Sequence, residues 1–374
     1  VRARELGIEI GPLQPGPADA ITDVAGVLVG HTTLIEGDGV RTGVTVVLPH
    51  DGNPGGDPVF AGCHRVNGNG ELTGLEWVRE SGMLTSPIGL TNTFSVGVVR
   101  DALVATGRTA GLPVVGETWD GALNDIDGQH VRAEHVHAAL AAAAAGPVEE
   151  GGVGGGTGMI CHGFKGGIGT ASRVVDPAAG GWTVGVLVQA NHGRRERFRV
   201  DGLPVGAVLG DDEIPLPRPR PEGPRSAGSP SGAGSPPGAG SPSGAGSIIV
   251  LVATDAPLLP GQCDRLALRA SFGIARSGGV GEHSSGDLVL AFATGNRGLP
   301  VGESGPQGEV EVPVRMLSNA YINPLFDAVV DATEEAILNA LLAARTMTGW
   351  AATVSALPEE ALVGALARLG RPPG

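Results

Sequence analysis

From Ile214 to Gly246 the sequence collapses into IPLPRPRPEGPR and then three hexapeptides, SPSGAG, SPPGAG and SPSGAG. Such a tract has too little apolar side chain to offset the entropy of ordering it, so it reads as a mobile surface tether. At Ser247 the character reverses. Ser247-Ile248-Ile249-Val250-Leu251-Val252 is an abrupt apolar, β-branched run of the length expected for a buried strand. A structureless segment of about 33 residues inside one compact domain would argue against itself. It becomes reasonable if the chain is cut there. The 374 residues are then one domain in two pieces, 1–246 and 247–374, although that length would accommodate two domains.

Composition removes several classes of function. The chain carries 39 acids against 25 bases, a net charge of −14, and its one lysine is Lys165. Phosphate backbones are gripped by clustered Lys and Arg, so nucleic acid is not an expected partner. Cys63, Cys161 and Cys263 stand alone with no C-x-x-C pair, so neither a disulfide framework nor a zinc or other metal site is expected. No apolar stretch reaches the roughly 18 residues of a membrane helix. The opening VRARELGIEIG lacks an apolar signal core. The expectation is a cytoplasmic protein, periplasmic only if a leader has been removed, with no membrane partner and no cofactor.

Periodicity places strands near Gly26–Gly30, Gly43–Leu48, Ser95–Val99 and Thr183–Gln189 before the tether, and at Ser247–Ala253 and Asp287–Ala293 after it. Helices are expected at Glu134–Ala145, where an alanine run stops at Gly146, around Gly261–Ala270, and at Pro324–Arg345. The last has Asn323 as N-cap, Pro324 at the first helical position and Gly349 beyond its end. Strands accompany helices on both sides of the tether, which predicts a layered sandwich of sheets and helices.

Four motifs carry chemistry. Gly-Ser pairs recur at Ser229, Ser235, Ser241 and Ser247, but only Ser247 opens a strand. Its plain reading is a linker end. Its chemical reading is that Ser247 attacks the unhindered Gly246 carbonyl, giving an ester that water cleaves. The product would be an N-terminal serine whose α-amine, with a reference pKa of about 8, serves as a built-in base. Second, in Gly281–Asp287 (GEHSSGD) the residues Ser285 and Asp287 lie two apart and share a face of extended chain. There a hydroxyl bonded to a carboxylate could relay protons; the plain reading is a polar turn.

Third, Gly154–Met159 (GGGTGM) and Cys161–Gly167 (CHGFKGG) suggest an anion cradle, but Gly166 after Lys165 fails the phosphate-loop pattern. Close backbone packing is the better reading. Cys161 beside His162 hints at a thiol nucleophile, with buried packing again preferred. Fourth, Asn191 closes the strand Thr183–Gln189 within QANHG. An amide at a strand end can donate to an oxyanion, a contact of about 3 kcal/mol in a transition state, or simply sit in a turn. The stretches Asn67–Glu71 and Glu117–Asp125 have no metal-ligand spacing and read as solvated turns.

Taken together, NGNGELTG (67–74), TNTFSVGVVRD (91–101), GETWDGALND (116–125), GGGTGMICHGFKGGIGTASR (154–173), SIIVLVATD (247–255) and SSGDLVLAFAT (284–294) resemble the DmpA-type aminopeptidases. That family includes the L-aminopeptidase/D-amidase-esterase and the β-peptidyl aminopeptidases. The resemblance spans nearly the whole chain apart from the tether. It implies an α+β fold, a single four-layer αββα sandwich related to N-terminal-nucleophile hydrolases and ornithine acetyltransferase. It also implies self-cleavage at Gly246-Ser247 into an α chain, 1–246 with its tether 214–246, and a β chain, 247–374.

Carried over by residue, the resemblance makes Ser247 the nucleophile, Ser285 and Asp287 the serine–acid pair, and Asn191 an oxyanion donor. Some members have glutamate where Asp287 stands. Trp119 occupies the place of a tyrosine in some members, and His192 the place of a common aromatic ring. Trp119 and Glu117 are candidates for substrate binding, although Asp287, Glu117 or another acid could meet the substrate ammonium.

The implied activity is a serine aminopeptidase, amidase and esterase releasing N-terminal amino acids from small peptides, amides or esters through an acyl-enzyme on Ser247. The implied assembly is a homo-oligomer, a tetramer of αβ units. The rival enzymes are an ω-amino-acid oligomer amidase and an acyl transferase of the ornithine acetyltransferase kind. Those relatives typically open their β chain with threonine, so serine at 247 argues mildly against them. A rival of another class is an uncleaved, inactive homologue serving as a binding protein. A denaturing gel separates them: processing gives two bands that sum to 37.4 kDa.

Overall fold

The computed structural model describes residues 1–220, 246–301 and 311–371, so the hexapeptide repeats, apart from their last residue Gly246, lie outside the described residues. Two sheets stack face to face. The smaller has the order β1 (Leu28–Glu36), β2 (Val40–Leu48), β4 (Ile88–Asn92), β5 (Val114–Thr118). In the larger, a short edge segment (Met83–Leu84) is followed by β3 (Val59–Gly68), β9 (Gly286–Ala293), β8 (Ser247–Thr254), β7 (Thr183–Asn191) and β6 (Gly167–Val174). Helix α1 (Leu75–Ser81) follows β3. Helices α2 (Val96–Ala105) and α3 (Ala133–Ala141) pack on the smaller sheet, and α4 (Pro260–Arg276) and α5 (Asn323–Ala343) on the larger. A last helix, α6 (Glu359–Arg368), ends the described chain. The layers run αββα, as the resemblance implies.

The strand after the tether lies at the centre of this arrangement. β8 pairs antiparallel with β7 and parallel with β9. Its alternation sends Ile249, Leu251 and Ala253 into the core between the sheets, beside Leu187, Leu288 and Leu290. Ile248, Val250 and Val252 enter the core under α4 and α5. A strand covered on both faces reads as an unbroken apolar run. At roughly 1.5–3 kcal/mol per large aliphatic side chain buried, these residues hold the strand, and Ser247 at its start, in a fixed register.

Several expected elements change. Ser95–Val99 is not a strand: the strand is Ile88–Asn92, and the valines open α2. The Asn92 side chain accepts from the Phe94 N–H and turns the backbone. Val96, Val99 and Leu103 then recur at helical spacing on the buried face, so packing overrides β propensity. α5 begins at Asn323, with Ile322 rather than Asn323 in the capping position, and ends at Ala343. α3 stops at Ala141, short of Gly146. The tether also starts later than its composition implies. Ile214 is buried, its carbonyl accepts from Arg195, and Arg218–Pro219 pair with Ala352–Thr353. Among the described residues no helix is long and apolar enough to cross a membrane.

Candidate active site

Register brings the first two site residues together. Ser247 opens β8 directly opposite Asn191, the last residue of β7. Ser247 is buried, and its Oγ accepts a hydrogen bond of 2.9 Å from the Gly286 N–H at the start of β9. A donor on this oxygen favours its charged form over its neutral one. Gly246 lies against the end of β7 so closely that a Cβ there would stand 1.7 Å from the Asn191 carbonyl oxygen.

Ser285 and Asp287 flank Gly286. The Ser285 hydroxyl lies 2.9 Å from Asp287 Oδ2 and 2.7 Å from the Glu282 carbonyl. Burial pushes the Asp287 carboxyl up to about 6, against the hydrogen bonds that favour its charge. Its other oxygen, Oδ1, has no partner among the described residues. The pair therefore sits one residue either side of the backbone donor that touches Ser247.

Asn191 is locked by its neighbours. Its Oδ1 accepts from the Ile160 N–H at 2.7 Å, and its Nδ2 donates to the Trp119 carbonyl at 3.0 Å. The Trp119 contact uses one of the two Nδ2 hydrogens, which leaves the other available to a developing negative charge. Trp119 stands edge-on to Phe94, with ring centroids 5.5 Å apart, and Phe94 is exposed.

Glu117 is buried at the end of β5. Its carboxylate accepts from the Glu71 N–H at 2.9 Å and from the Thr93 hydroxyl. Burial raises its pKa, and these bonds oppose the rise. A Cβ on Gly70 would lie 2.8 Å from Gly286 Cα and 3.1 Å from Glu117 Oε1. The carboxylate and the Gly286 backbone thus approach each other from either side of Gly70. Glu117, Trp119, Asn191, Gly246, Ser247, Ser285 and Asp287 all lie at this end of the sheets.

Other participants were not singled out. NGNGE is a clamp rather than a solvated turn: Asn67 Nδ2 donates to the Glu282 and Ser285 carbonyls, and Asn69 Nδ2 to the Ser284 carbonyl. The Gly286 and Ile160 N–H groups are backbone donors that any side chain at those positions would supply, so residue type gives no signal for them. Cys161 is buried with its thiol pushed up to about 12 by burial, which removes it as a thiolate nucleophile. Its Sγ lies 3.7 Å from His192 Nδ1, not against the adjacent His162.

The profile of Peptidase family S58 matches residues 19–355. The β-peptidyl aminopeptidase BapA of Sphingosinicella microcystinivorans is 47% identical over 362 residues, covering 93% of this chain and 87% of that protein. BapA of Sphingosinicella xenopeptidilytica is 44% identical over 367 residues, covering 93% and 86%. Among solved structures, a Burkholderia β-aminopeptidase superposes with a TM-score of 0.87 at 54% identity, covering 99% of each chain. The L-aminopeptidase D-Ala-esterase/amidase of Ochrobactrum anthropi, described as a variant of the Ntn-hydrolase fold, gives 0.83 at 40% identity, again covering 99% of each. With fold, site geometry and comparisons in agreement, this chain belongs to peptidase family S58 and is an aminopeptidase of that family.

Proposed function

We propose that the enzyme cuts itself between Gly246 and Ser247 and then uses Ser247 as an N-terminal nucleophile. The observation that carries this reading is the Ser247 hydroxyl, fixed at the head of a fully buried strand, with the Gly286 N–H on its oxygen and the Asn191 amide opposite. In self-cleavage Ser247 Oγ attacks the Gly246 carbonyl carbon. The peptide C–N bond breaks, and its nitrogen becomes the α-amine of Ser247. Water then hydrolyses the ester, leaving a Gly246 carboxylate and a free Ser247 hydroxyl.

In turnover the α-amine accepts the hydroxyl proton as Oγ attacks the substrate carbonyl. The free hydrogen on Asn191 Nδ2 faces the oxyanion. The proton is passed to the departing amine, and water releases the acyl group. Ser285 and Asp287 support the amine's protonated form. Glu117 receives the substrate's N-terminal ammonium, and Trp119 with Phe94 borders its side chain.

The substrates we infer are short peptides and amides with an N-terminal β-amino residue, since the relatives at 44–54% identity are named β-aminopeptidases. The active form we infer is an oligomer of αβ units. A panel of β-alanyl, L-alanyl and D-alanyl p-nitroanilides tests the preference. Fastest turnover of the β-alanyl compound, abolished in Ser247→Ala, is the expected result. Preference for L-alanyl would assign the chain to α-amino substrates. Wild-type turnover by Ser247→Ala would refute the nucleophile.

A further inference from the structure

Behind the candidate oxyanion asparagine lies a cluster that the reaction does not use. Cys161, His162 and His192 are all buried, and each offers one ligand atom such that the three atoms lie within 4.8 Å of one another. The sequence hides this group, because His192 arrives from the far end of β7. We propose that these three side chains form a binding site for one soft, thiophilic cation of the zinc or copper(I) class.

The local construction supports a ligand. Ile160–Cys161 and Phe164–Lys165 form a tight hairpin whose two turn residues, His162 and Gly163, both have positive φ, 51° and 71°. That turn ordinarily takes Asn-Gly or Gly-Gly, so an imidazole is held at a position that disfavours it. His162 Nδ1 lies 3.3 Å from the Arg194 carbonyl. An oxygen there can only accept, so Nδ1 carries the proton and Nε2 presents its lone pair. Metal-bound histidines are usually fixed in this way, by a hydrogen bond from the other ring nitrogen to a carbonyl.

Nε2 of His162, the nitrogen left to bind, has no hydrogen-bond partner among the described residues, and His192 faces the thiol through its Nδ1, 3.7 Å from Cys161 Sγ. A buried polar atom without a partner destabilises the fold unless something binds it. Both imidazoles are kept neutral by burial, His162 with its pKa lowered to about 4. Glycines leave them room: a Cβ on Gly193 would lie 2.2 Å from His162 Cε1, and one on Gly279 3.1 Å from His192 Cδ2.

The distances suit a small soft ion after a modest closure. Bonds of roughly 2.0–2.3 Å to nitrogen and sulfur set ligand–ligand edges of about 3.5 Å, near the 3.7 Å between Cys161 Sγ and His192 Nδ1. The other pairs lie within 4.8 Å and draw closer on binding. As the metal–sulfur bond forms, the thiol proton leaves to solvent, so a divalent ion adds one positive charge to the site. A thiolate with two imidazoles selects zinc or copper(I) over magnesium or calcium. Arg195, which donates to the His162 carbonyl at 3.1 Å, is a neighbouring positive group. It is drawn aside over the Phe164 ring, 3.6 Å from the centroid.

Occupancy is coupled to Asn191, a consequence that rests on the reaction proposed above; binding itself does not. Cys161 follows Ile160, whose N–H holds Asn191 Oδ1. His192 follows Asn191, and its carbonyl accepts from the His162 N–H at 2.7 Å. Drawing the three ligands together shifts Ile160, one holder of the amide, and the backbone that carries Asn191, and slows turnover.

The test uses untagged, metal-stripped enzyme, both mature and refolded in the presence of metal, with Co2+ as the optical probe and Zn2+ as competitor. We expect one equivalent of cobalt with a thiolate-to-cobalt charge-transfer band, displaced by one equivalent of zinc. Cys161→Ser and His192→Phe each lose the band and bind at least a hundredfold more weakly, whereas Cys63→Ser and Cys263→Ser retain it. Circular dichroism verifies folding, and the two ligand variants make the test independent of either one's fold. Absence of bound cobalt and zinc from both preparations, or a band that survives in folded Cys161→Ser, overturns the site. Stoichiometric binding with unchanged hydrolysis of β-alanyl p-nitroanilide overturns the coupling to Asn191 alone.

Discussion

Replacing Gly246 with alanine puts a methyl group where the backbone leaves no space. The new Cβ would stand 1.7 Å from the Asn191 carbonyl oxygen, 2.8 Å from its carbon and 3.3 Å from His192 Cα. Separations under 3.0 Å do not occur for real Cβ atoms, so backbone has to yield by about 1.3 Å. Either the end of β7 recedes or residue 246 swings outward, and both move the scissile carbonyl away from Ser247 Oγ. Misplacement of reacting atoms by about an ångström costs on the order of a hundredfold in rate, or about 2.7 kcal/mol. Self-cleavage of Gly246→Ala is therefore expected to be about a hundred times slower than wild type, and Gly246→Val slower still. The assay is the decay of the full-length band after pulse-labelled cell-free synthesis. Once cut, the variant ends its α chain at residue 246 and keeps Ser247 intact, so its turnover of aminoacyl amides should match wild type within about twofold. Deleting one hexapeptide, 235–240, changes the closure cost by only about 0.2 kcal/mol and should leave processing nearly unaltered. Wild-type processing of Gly246→Ala would refute the steric argument, and failure in the shortened repeat would transfer control to the tether.

Ser247→Ala should give a single folded, inactive chain of 37.4 kDa, whereas Ser247→Cys still processes because a thiol makes the same shift; in wild type, N-terminal sequencing of the smaller band should begin at Ser247 and not at Ser229, Ser235 or Ser241. Asn191→Ala should lower kcat by about 10²–10³ and move KM far less, read by steady-state hydrolysis at unchanged circular dichroism. The pH profile should carry two limbs: activity falls below about 8 as the α-amine protonates, then more steeply below about 6 as Asp287, whose pKa is raised, takes up its proton. Asp287→Asn should remove the steeper limb, and a profile unchanged in shape would exclude Asp287 from the relay.

The fold was legible where burial and propensity agree. Strands β7, β8 and β9 are covered on both faces and each carries a long apolar run, so these runs mark them without ambiguity. The smaller sheet was harder to read. Residues 88–92, Ile-Gly-Leu-Thr-Asn, are buried yet short, with a glycine and polar side chains inside the core, and lose the contest of propensity to the valines of α2. Ile214 and Arg218–Pro219 were hidden for a related reason. Composition assigned them to the tether, but one buried aliphatic and a two-residue pairing with Ala352–Thr353 suffice to dock them.

The site divides along a different line. Ser247, Ser285, Asp287 and Asn191 stand out in the sequence because the chemistry proposed for each needs a particular side chain beside an abrupt change of pattern. What holds them is mostly backbone. Gly286 gives an N–H to Ser247, Ile160 gives one to Asn191, and the carbonyls of Glu282, Ser284 and Ser285 accept from Asn67 and Asn69. These contacts span 31 to 218 positions of sequence, and only the packing of the two sheets brings the partners together. The glycines carry the complementary signal. At 70 and 246 a methyl group would strike atoms of the site itself, so their function is to let backbone and carboxylate approach where a side chain would hold them apart. Composition counts such residues as turn formers, whereas here they set the distances on which the proposed reaction depends.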